Sequence, residues 1–450
     1  MPPKLEKVII NGSSRHRLYK GFLLLDSNGY LANEVLSKRI EENAQQRLLQ
    51  RLALTGFTLE RLSDHPAVMH VMTPFLPLFT VKQRTLFILR LVAATSCLLE
   101  AAEEASCQLA AAGVNPYRKE DEEPRALCAD IHQIEVYEEG EVERIYNLYR
   151  QFLPELLAIS THSAVYGTSV QKDFSLRMRV NLASYLPRYI SQFSEQHLEH
   201  LELFIRKKHK LSNLSQMDIN PLGGDPSALR KPERPLLLKT AAAVELRFID
   251  AQCSFPFIRA QVILLQALAM HGRELARVGR RLFPVSDESL DENKALALHS
   301  GGGAVLRPDS YRRSDEPRKS STYERKEPEV ATTALLKLIE DTLLDALLDL
   351  ECEPWELYPI TLGAELRRRE KRCFANYAEY QQYLCTAYPE ERFIAILQEQ
   401  TRLLLSSSTF DIICDYNRQL HQKLAQEIES VWSEKLAPHH SSESKGEAPC

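Results

Sequence analysis

The stretch Val244-Glu245-Leu246-Arg247-Phe248-Ile249-Asp250 decides the fold prediction, because apolar and charged residues alternate along it. In a β-strand, successive side chains point to opposite faces of the sheet. The apolar residues at even positions would then pack on helices, while Glu245 and Arg247 stand side by side on the open face. A carboxylate there can hold a divalent metal, and a guanidinium can bind phosphate or carboxylate. The alternative is an ion pair on a solvated sheet face.

Further strands and long helices are predicted around this stretch. Alternating residues predict a strand over 129–136, and Asn28-Gly29 favours a tight hairpin turn after the apolar run at 22–26. Prolines and glycines predict a loop over 220–235. Helical spacing of apolar residues predicts helices at 81–112, 141–159, 196–210, 257–273 and 335–350. Strands separated by helices, several with hairpin-type turns, are typical of an α+β protein with an antiparallel sheet.

The composition predicts one large domain. The chain has 450 residues, of which 44% are hydrophobic, so it can bury a large core. We expect a single domain over 1–436, with a mobile surface segment at 307–328, and a disordered tail over 437–450. The net charge of −5 gives no electrostatic reason for binding nucleic acid or an anionic membrane. Neither is therefore expected as a partner.

The cysteines and the N-terminus predict a cytoplasmic protein. The nine cysteines form no CxxC pair, and their number is odd, which favours reduced thiols over a disulfide framework. The first seven residues carry charge where a signal peptide needs an apolar run. The most apolar stretch, 85–99, contains Arg90 and is too short to span a bilayer.

Two other segments offer residues for binding a metal or an anion. Asp130 and His132 are two apart on a predicted strand, so they share a face and suit metal or phosphate contacts. A strand histidine is more often a structural group, and this alternative stays open. Arg177 and Arg179 follow a predicted helix, where they meet either an anionic substrate or only solvent. Gly301-Gly302-Gly303 lacks the GxxxxGK[ST] pattern of a phosphate-binding loop.

A series of short motifs, taken in chain order, resembles the glutamate–cysteine ligase family 2 and the bacterial carboxylate–amine ligases. The segment over 244–250 is similar to the family's Glu-x-Arg-x-x-Asp signature and is the most specific of the series. The others are Phe22–Asp26 with its Asn-Gly turn, Gly113–Tyr117, Ala129–His132, Leu153–Ser160 continuing to Ser163 and Gly167, Ser175–Arg177, Arg234-Pro235, Glu292-Asn293 with Ala297 and Gly301–Ala304, and Gly363–Glu365.

The resemblance implies a glutamine-synthetase-like fold, in which a curved antiparallel sheet forms a funnel with helices packed on its outer face. It also implies that ATP and Mg²⁺ on the open face phosphorylate a carboxylate, after which an amine displaces phosphate to give an amide. On this basis Glu245 would be a metal ligand and Arg247 a catalytic phosphate contact. His132 would contact metal or nucleotide, Arg177 substrate or phosphate, and Arg234 nucleotide.

Three carboxylates of the family pattern are missing from this sequence. The family's Gly-x-Glu-x-Glu-Phe strand reads Arg17–Phe22 here, with Tyr19 and Gly21 in place of the glutamates. His70 stands where a glutamate is expected before Thr73-Pro74. Magnesium is held through carboxylate oxygens, so these losses put its binding, and that of ATP, in doubt. A histidine at position 70 is a better ligand for zinc, nickel or copper.

Three functions follow from the resemblance and its departures. The first is an ATP-dependent ligase, with a rearranged metal site, that joins an amino-acid carboxylate to an amine and self-associates as its relatives do. The second is a non-catalytic homologue that keeps the fold and acts as a binding or partner protein. The third is different chemistry around another divalent metal held by His70, His132 and Glu245.

Overall fold

An antiparallel sheet of eight strands organises the part of the chain that the structure describes. The computed structural model describes residues 15–63, 65–136, 139–181, 216–221, 230–231, 234–238, 242–280, 282, 285–310 and 325–437. In chain order the strands are β1 (Arg15–Leu25), β2 (Thr58–Glu60), β3 (Val68–Met72), β4 (Leu76–Pro77), β5 (Gln108–Ala110), β6 (Ile131–Val136), β7 (Val165–Tyr166), β8 (Ser169–Val170), β9 (Met217–Pro221), β10 (Arg230–Lys231), β11 (Arg234–Leu238), β12 (Ala242–Leu246), β13 (Val305–Leu306) and β14 (Glu329–Val330).

The long strand β1 lies in the middle of the main sheet. The strand order is β2-β3-β1-β6-β12-β9, and the short strands β4 and β5 also pair with β1. Every pairing in this sheet is antiparallel. Three two-stranded ribbons, β7-β8, β10-β11 and β13-β14, lie outside it. The predicted α+β class with an antiparallel sheet is confirmed, whereas the funnel shape stays a prediction.

Helices supply most of the remaining described structure. They are α1 (Glu34–Gln50), α2 (Val81–Glu104), α3 (Glu139–Gln151), α4 (Leu153–Ser160), α5 (Leu176–Asn181), α6 (Phe255–Arg277), α7 (Asp287–Ser300), α8 (Ala331–Leu338), α9 (Leu344–Asp349), α10 (Pro354–Arg368), α11 (Tyr377–Ala387), α12 (Glu390–Ser406), α13 (Ile412–Leu420) and α14 (Gln422–Lys435). A π-helical turn, Ile339–Leu343, joins α8 to α9, and short 3₁₀ turns lie at Leu52–Leu54 and Gly301–Gly303.

The two faces of the main sheet differ in chemistry because side chains alternate along each strand. Cross-strand partners share a face, and Glu245 pairs with Gln133, which pairs with Arg17. We call the face that carries these residues the polar face. The opposite face, the core face, carries apolar side chains such as Leu18 and Leu246 and is buried against helices that include α6.

Three predicted elements end earlier or divide where tertiary structure intervenes. The helix predicted over 81–112 ends at Glu104, since Ser106 adopts a φ of 56° and the chain then forms β5 against β1. The helix predicted over 141–159 divides into α3 and α4 at Phe152, with Pro154 in the first turn of α4. The strand predicted over 243–250 ends at Leu246.

Two further predictions meet the edge of the described residues. The loop predicted over 220–235 contains β10 and the start of β11, while 222–229 and 232–233 lie outside the described residues. The predicted helix at 196–210 lies wholly outside them. The hairpin turn is present, with Gly29 at a φ of 83° and its N–H donating to the Asp26 carbonyl at 3.0 Å.

The helix α2 is long and apolar enough to cross a membrane by length and composition, and half of its most apolar window is buried inside the protein. Arg84 in its first turns is 1% exposed and forms two hydrogen bonds with the carboxylate of Glu356 in α10. This buried ion pair attaches α2 to α10 inside the protein.

Both described ends of the predicted surface segment at 307–328 are held by the body of the protein. Arg325 is 3% exposed and forms ion pairs with Asp309 at 2.8 Å and with Glu155 of α4. The Asp309 N–H donates to the Arg325 carbonyl at 2.9 Å. Residues 311–324 and the predicted tail beyond 437 lie outside the described residues.

Candidate functional site

The polar face brings Glu245 next to an amide group of β6 and a guanidinium just beyond β12. Gln133 of β6 donates from Nε2 to Glu245 Oε2 at 2.5 Å. Arg247, just beyond the end of β12, donates from Nε to Glu245 Oε1. The sequence prediction that Glu245 and Arg247 are neighbours on one face is therefore confirmed, and they form an ion pair there.

Arg17 differs from the other arginines of the polar face because no carboxylate among the described residues pairs with it. Its guanidinium lies over the Phe75 ring, 4.1 Å from the ring centre. Its Nη1 is 3.5 Å from the Tyr19 hydroxyl, and its Nε has no hydrogen-bond partner in the described structure. By contrast, Arg15 donates two hydrogen bonds to Glu135 at 2.7 and 2.6 Å. Arg17 is therefore a cation with capacity left for an anion.

Tyr19 lies between this cation and two acids. Burial raises the pKa of its phenol, and the carboxylates of Glu245 and Glu60 act in the same direction, while Arg17 lowers it. The phenol is therefore neutral near pH 7 and available as a hydrogen-bond donor. Tyr19 replaces the first glutamate of the family pattern, so a neutral donor stands where the resemblance implies a metal ligand.

Gly21, at the second missing glutamate, has no room for any side chain. A Cβ there would overlap the Ala129 carbonyl oxygen and lie 2.7 Å from Cys128 Sγ. Asp130 fixes this arrangement by accepting from the Gly21 N–H at 2.9 Å and from Lys20 Nζ at 2.8 Å. Where the resemblance implies two glutamates, this chain thus has a neutral phenol at Tyr19 and closely packed neighbouring backbone at Gly21.

His70 stands directly opposite Gly21 across β1 and β3, and opposite Glu60 across β2 and β3. It is 2% exposed. Burial lowers its pKa to about 3, with the charges of Lys20 and Arg247 acting in the same direction. The imidazole is therefore neutral at pH 7, which would suit a soft divalent metal.

His132 lies on the core face, away from Glu245. The register pairs His132 with Leu246 on β12 and with Leu18 on β1. Its Nδ1 is 3.0 Å from His16 Nε2, and His16 in turn contacts Gln266 of α6 at 3.1 Å. The expectation that His132 joins Glu245 in binding a metal or nucleotide does not fit this placement. The third hypothesis, in which His70, His132 and Glu245 hold one metal, does not fit for the same reason, because His132 and Glu245 lie on opposite faces of the sheet.

Arg177 is buried in a network centred on Asp250, not directed at the polar face. It is 3% exposed, and its Nε donates to Asp250 Oδ1 at 2.6 Å. Its two other nitrogens donate to the carbonyls of Arg247 at 3.1 Å and Phe248 at 2.8 Å. With these donors engaged, Arg177 holds the chain after β12 in place, and the expected substrate contact is not what its geometry provides.

Residues from several separate sequence motifs form hydrogen bonds with the carboxylate of Asp250. Ser163 and Ser175 donate to its carboxylate at 2.7 and 3.0 Å, and the His162 N–H donates at 2.7 Å. We call Asp250, Arg177, Ser163, Ser175 and the His162 N–H the Asp250 network. Asp250 was not among the predicted site residues, although its place at the end of the Glu-x-Arg-x-x-Asp signature was a usable signal.

Arg234 begins β11, which pairs with β10 outside the main sheet. The structure describes only its backbone position, so its expected nucleotide contact stays a prediction.

The side chains of the polar face do not provide the metal ligands that the implied magnesium and nucleotide site would need. Glu245 is paired with Arg247 and Gln133, and Glu135 is paired with Arg15. Across the described ranges, no three His, Cys, Asp or Glu side chains come together as a metal-binding group. Magnesium in nucleotide sites is bound through carboxylates and phosphates in octahedral geometry. Here Glu245 and Glu135 are each already paired with an arginine of the chain, which leaves too few carboxylates for such a site.

Comparison with known proteins yields matches among solved structures only. No protein-family model and no curated protein matches the sequence. Glutamate–cysteine ligase from Francisella tularensis, solved in complex with AMP, matches over 95% of this chain and 95% of its own, with a TM-score of 0.51 and 10% identity. A bifunctional glutathione synthetase from Pasteurella multocida matches over 96% of this chain, with a TM-score of 0.52 and 11% identity. This chain spans 57% of that synthetase's length. The chain therefore shares its fold with these two enzymes.

Proposed function

We propose that this protein binds a small molecule of the amino-acid class on its polar face and does not carry out magnesium-dependent acyl transfer there. The observation that carries the proposal is Arg17, a half-buried guanidinium with no carboxylate partner among the described residues. A carboxylate can pair with such a group through two hydrogen bonds, which gives both affinity and orientation.

The surroundings of Arg17 suit a ligand that carries both charges. The neutral phenol of Tyr19 can donate a further hydrogen bond to a bound carboxylate. Glu60, whose charge acts on the same phenol, can accept from an ammonium group. A ligand with a carboxylate and an amine close together matches this distribution, and amino acids have that composition.

The same residues argue against the acyl-phosphate mechanism. That chemistry needs several carboxylates to hold metal ions against the transferred phosphoryl group. In this chain those positions carry Tyr19, Gly21 and His70, and Glu245 is engaged by Arg247. An amino-acid pocket can persist without the metal site, because binding uses hydrogen bonds and charge pairing only.

Calorimetric titration of the purified protein with a panel of amino acids, including glutamate and cysteine, tests the proposal. We expect saturable binding of at least one member, weakened at least tenfold by Arg17→Gln, since a hydrogen bond to a charged group contributes about 1.5–3 kcal/mol. Arg15→Gln is the matched control, because Arg15 lies on the same face and is already paired with Glu135. Equal affinities for the parent and Arg17→Gln would refute the assignment.

An ATP-dependent ligase is the second candidate function. The fold match over nearly the whole length of a glutamate–cysteine ligase favours it, as does the retained Glu245–Arg247 pair. A ligase would release ADP when given Mg·ATP, an amino acid and an amine, and Glu245→Ala would abolish that release. Unchanged turnover in Glu245→Ala would exclude Glu245 as a metal ligand.

A further inference from the structure

A pocket away from the polar face lies between the first turns of α6 and α10 and the residues around the start of α13. Its volume is about 190 Å³, and none of its lining residues belongs to the polar face. The residues used below are Arg259, Trp355, Glu356, Asp411, Asp415 and Arg418, all of which line it.

Arg259 is the unusual group in this pocket. It is 5% exposed, yet its Nε has no hydrogen-bond partner and no ion pair reaches it within the described chain. The guanidinium lies over the ring of Trp355, 4.8 Å from the ring centre. Burial lowers the pKa of Arg259, the charge of Glu356 opposes this shift, and the nearby Arg84 acts in the same direction as burial. A buried cation that lacks a counterion is costly, and natural proteins seldom keep one without a partner.

The acids that line the pocket are already satisfied by other groups. Glu356 accepts two hydrogen bonds from Arg84, at 2.9 and 2.5 Å. Asp415 pairs with Arg418 at 3.0 Å.

Asp411 is satisfied as well. It caps α13 by accepting from the Cys414 N–H at 2.7 Å, and it also accepts from Ser254 and from Tyr377. Burial raises its pKa, which favours the neutral acid and reduces its repulsion of a nearby anion. No acid in the pocket wall therefore forms an ion pair with Arg259, and an anion from outside the described chain can do so.

We propose that this pocket binds a small organic monocarboxylate, with its carboxylate on Arg259 and its apolar part against Trp355 and the neighbouring prolines Pro256 and Pro359. A cavity of about 150 Å³ is large enough for benzene, so this pocket has room for an acid of benzoate size. The three acids in its wall disfavour a dianion such as phosphate, because the one unpaired positive charge offsets only one negative charge.

Fluorescence of Trp355 reports binding directly. The chain has two tryptophans, and Trp355 is 47% exposed while Trp432 is 1% exposed. We expect benzoate to change the emission saturably and to raise the melting temperature, since a ligand of the native state stabilises it by mass action. Benzamide, which has the same shape and no charge, should have at least tenfold lower affinity. Trp355→Phe should abolish the fluorescence response.

Variants separate Arg259 from the rest of the pocket and from the polar face. Arg259→Gln should bind benzoate at least tenfold more weakly. Without ligand, it should unfold at the same or a higher temperature than the parent, because the change removes an uncompensated buried charge. Arg418→Lys, which keeps the positive charge beside Asp415, and Arg17→Gln on the polar face should both keep the parent affinity.

Four outcomes would overturn the proposal. They are the absence of a saturable response to benzoate, equal affinity for benzamide, unaltered benzoate binding by Arg259→Gln, and tighter binding of inorganic phosphate than of benzoate. Because Arg17→Gln tests the polar face separately, failure here and failure of the proposed amino-acid site are distinguishable.

Discussion

The Asp250 network and the polar face lie at the two ends of one sequence signature. The charged group of the network is fully hydrogen-bonded, whereas the polar face keeps a cation without an acidic partner. In the network, the carboxylate of Asp250 receives hydrogen bonds from Arg177, two serines and a backbone N–H. On the polar face, Arg17 has no acidic partner among the described residues, and the close approach of Ala129 leaves no room for a side chain at Gly21.

The difference teaches that the resemblance to ligases is concentrated in residues that hold the chain together. Ser163, Ser175, Arg177 and Asp250 come from three separate motifs and meet in one buried cluster. The positions where the resemblance implies further glutamates, Tyr19, Gly21 and His70, lie outside this cluster.

Asp250→Asn should produce the largest loss of stability. It leaves the buried Arg177 without a counterion, and breaking a buried pair in this way costs about 3–5 kcal/mol. Urea unfolding at pH 7 measures it. Arg179→Gln, which removes a surface pair with Asp173, is the control and should cost less than about 1 kcal/mol. If both substitutions have the same small effect, the network does not hold the fold.

Within single strands and turns, the sequence predicted the structure well because alternation and turn chemistry are local. The side-by-side placement of Glu245 and Arg247, the turn at Gly29 and the helix at 257–273 all depend on neighbours in the chain. The register between neighbouring strands does not depend on such local neighbours. Since Gln133 and not His132 pairs with Glu245, a register that no local pattern encodes placed His132 on the core face.

Distant contacts also set the ends of elements and the choice of site residues. The strand β12 stops at Leu246, and Arg177, far away in sequence, binds the carbonyls of Arg247 and Phe248 that follow it. Arg17 could not be predicted as a site residue, because nothing nearby in the chain shows that it lacks a carboxylate partner. The three missing glutamates around it were the only hint that the charge of this face had changed.

Gly21→Ala should give the second largest effect. The new Cβ would overlap the Ala129 carbonyl oxygen, and overpacking of this kind costs about 1–3 kcal/mol. Gly303→Ala is the matched control, since its Cβ would meet only the end of the Arg367 side chain at 3.3 Å. Urea unfolding compares the two. A Gly21→Ala variant as stable as the parent would mean that the polar face still has room for a carboxylate there.

Acidification should show a smaller effect through His70. Its folded pKa of about 3 lies below the ordinary value of 6.5, so the unfolded chain binds more protons between these values. Stability should therefore fall as pH drops from 6.5 towards 3. The protonation of His70 accounts for about 2 kcal/mol of the loss in the free energy of unfolding by pH 5.

The variant His70→Gln isolates this share. Its free energy of unfolding should fall less steeply between pH 7 and pH 5 than that of the parent, whatever its stability at pH 7. Urea unfolding at several pH values gives both slopes. Parallel slopes would show that the imidazole of His70 is solvated and titrates normally.

Equilibrium binding of Mg·ATP, measured by calorimetry, tests the altered polar face most directly because it requires no knowledge of the substrate. We expect no saturable heat at millimolar nucleotide, since the carboxylates that would hold the metal are replaced or neutralised. Saturable binding that requires magnesium and disappears in Glu245→Ala would contradict the proposal and restore the ligase.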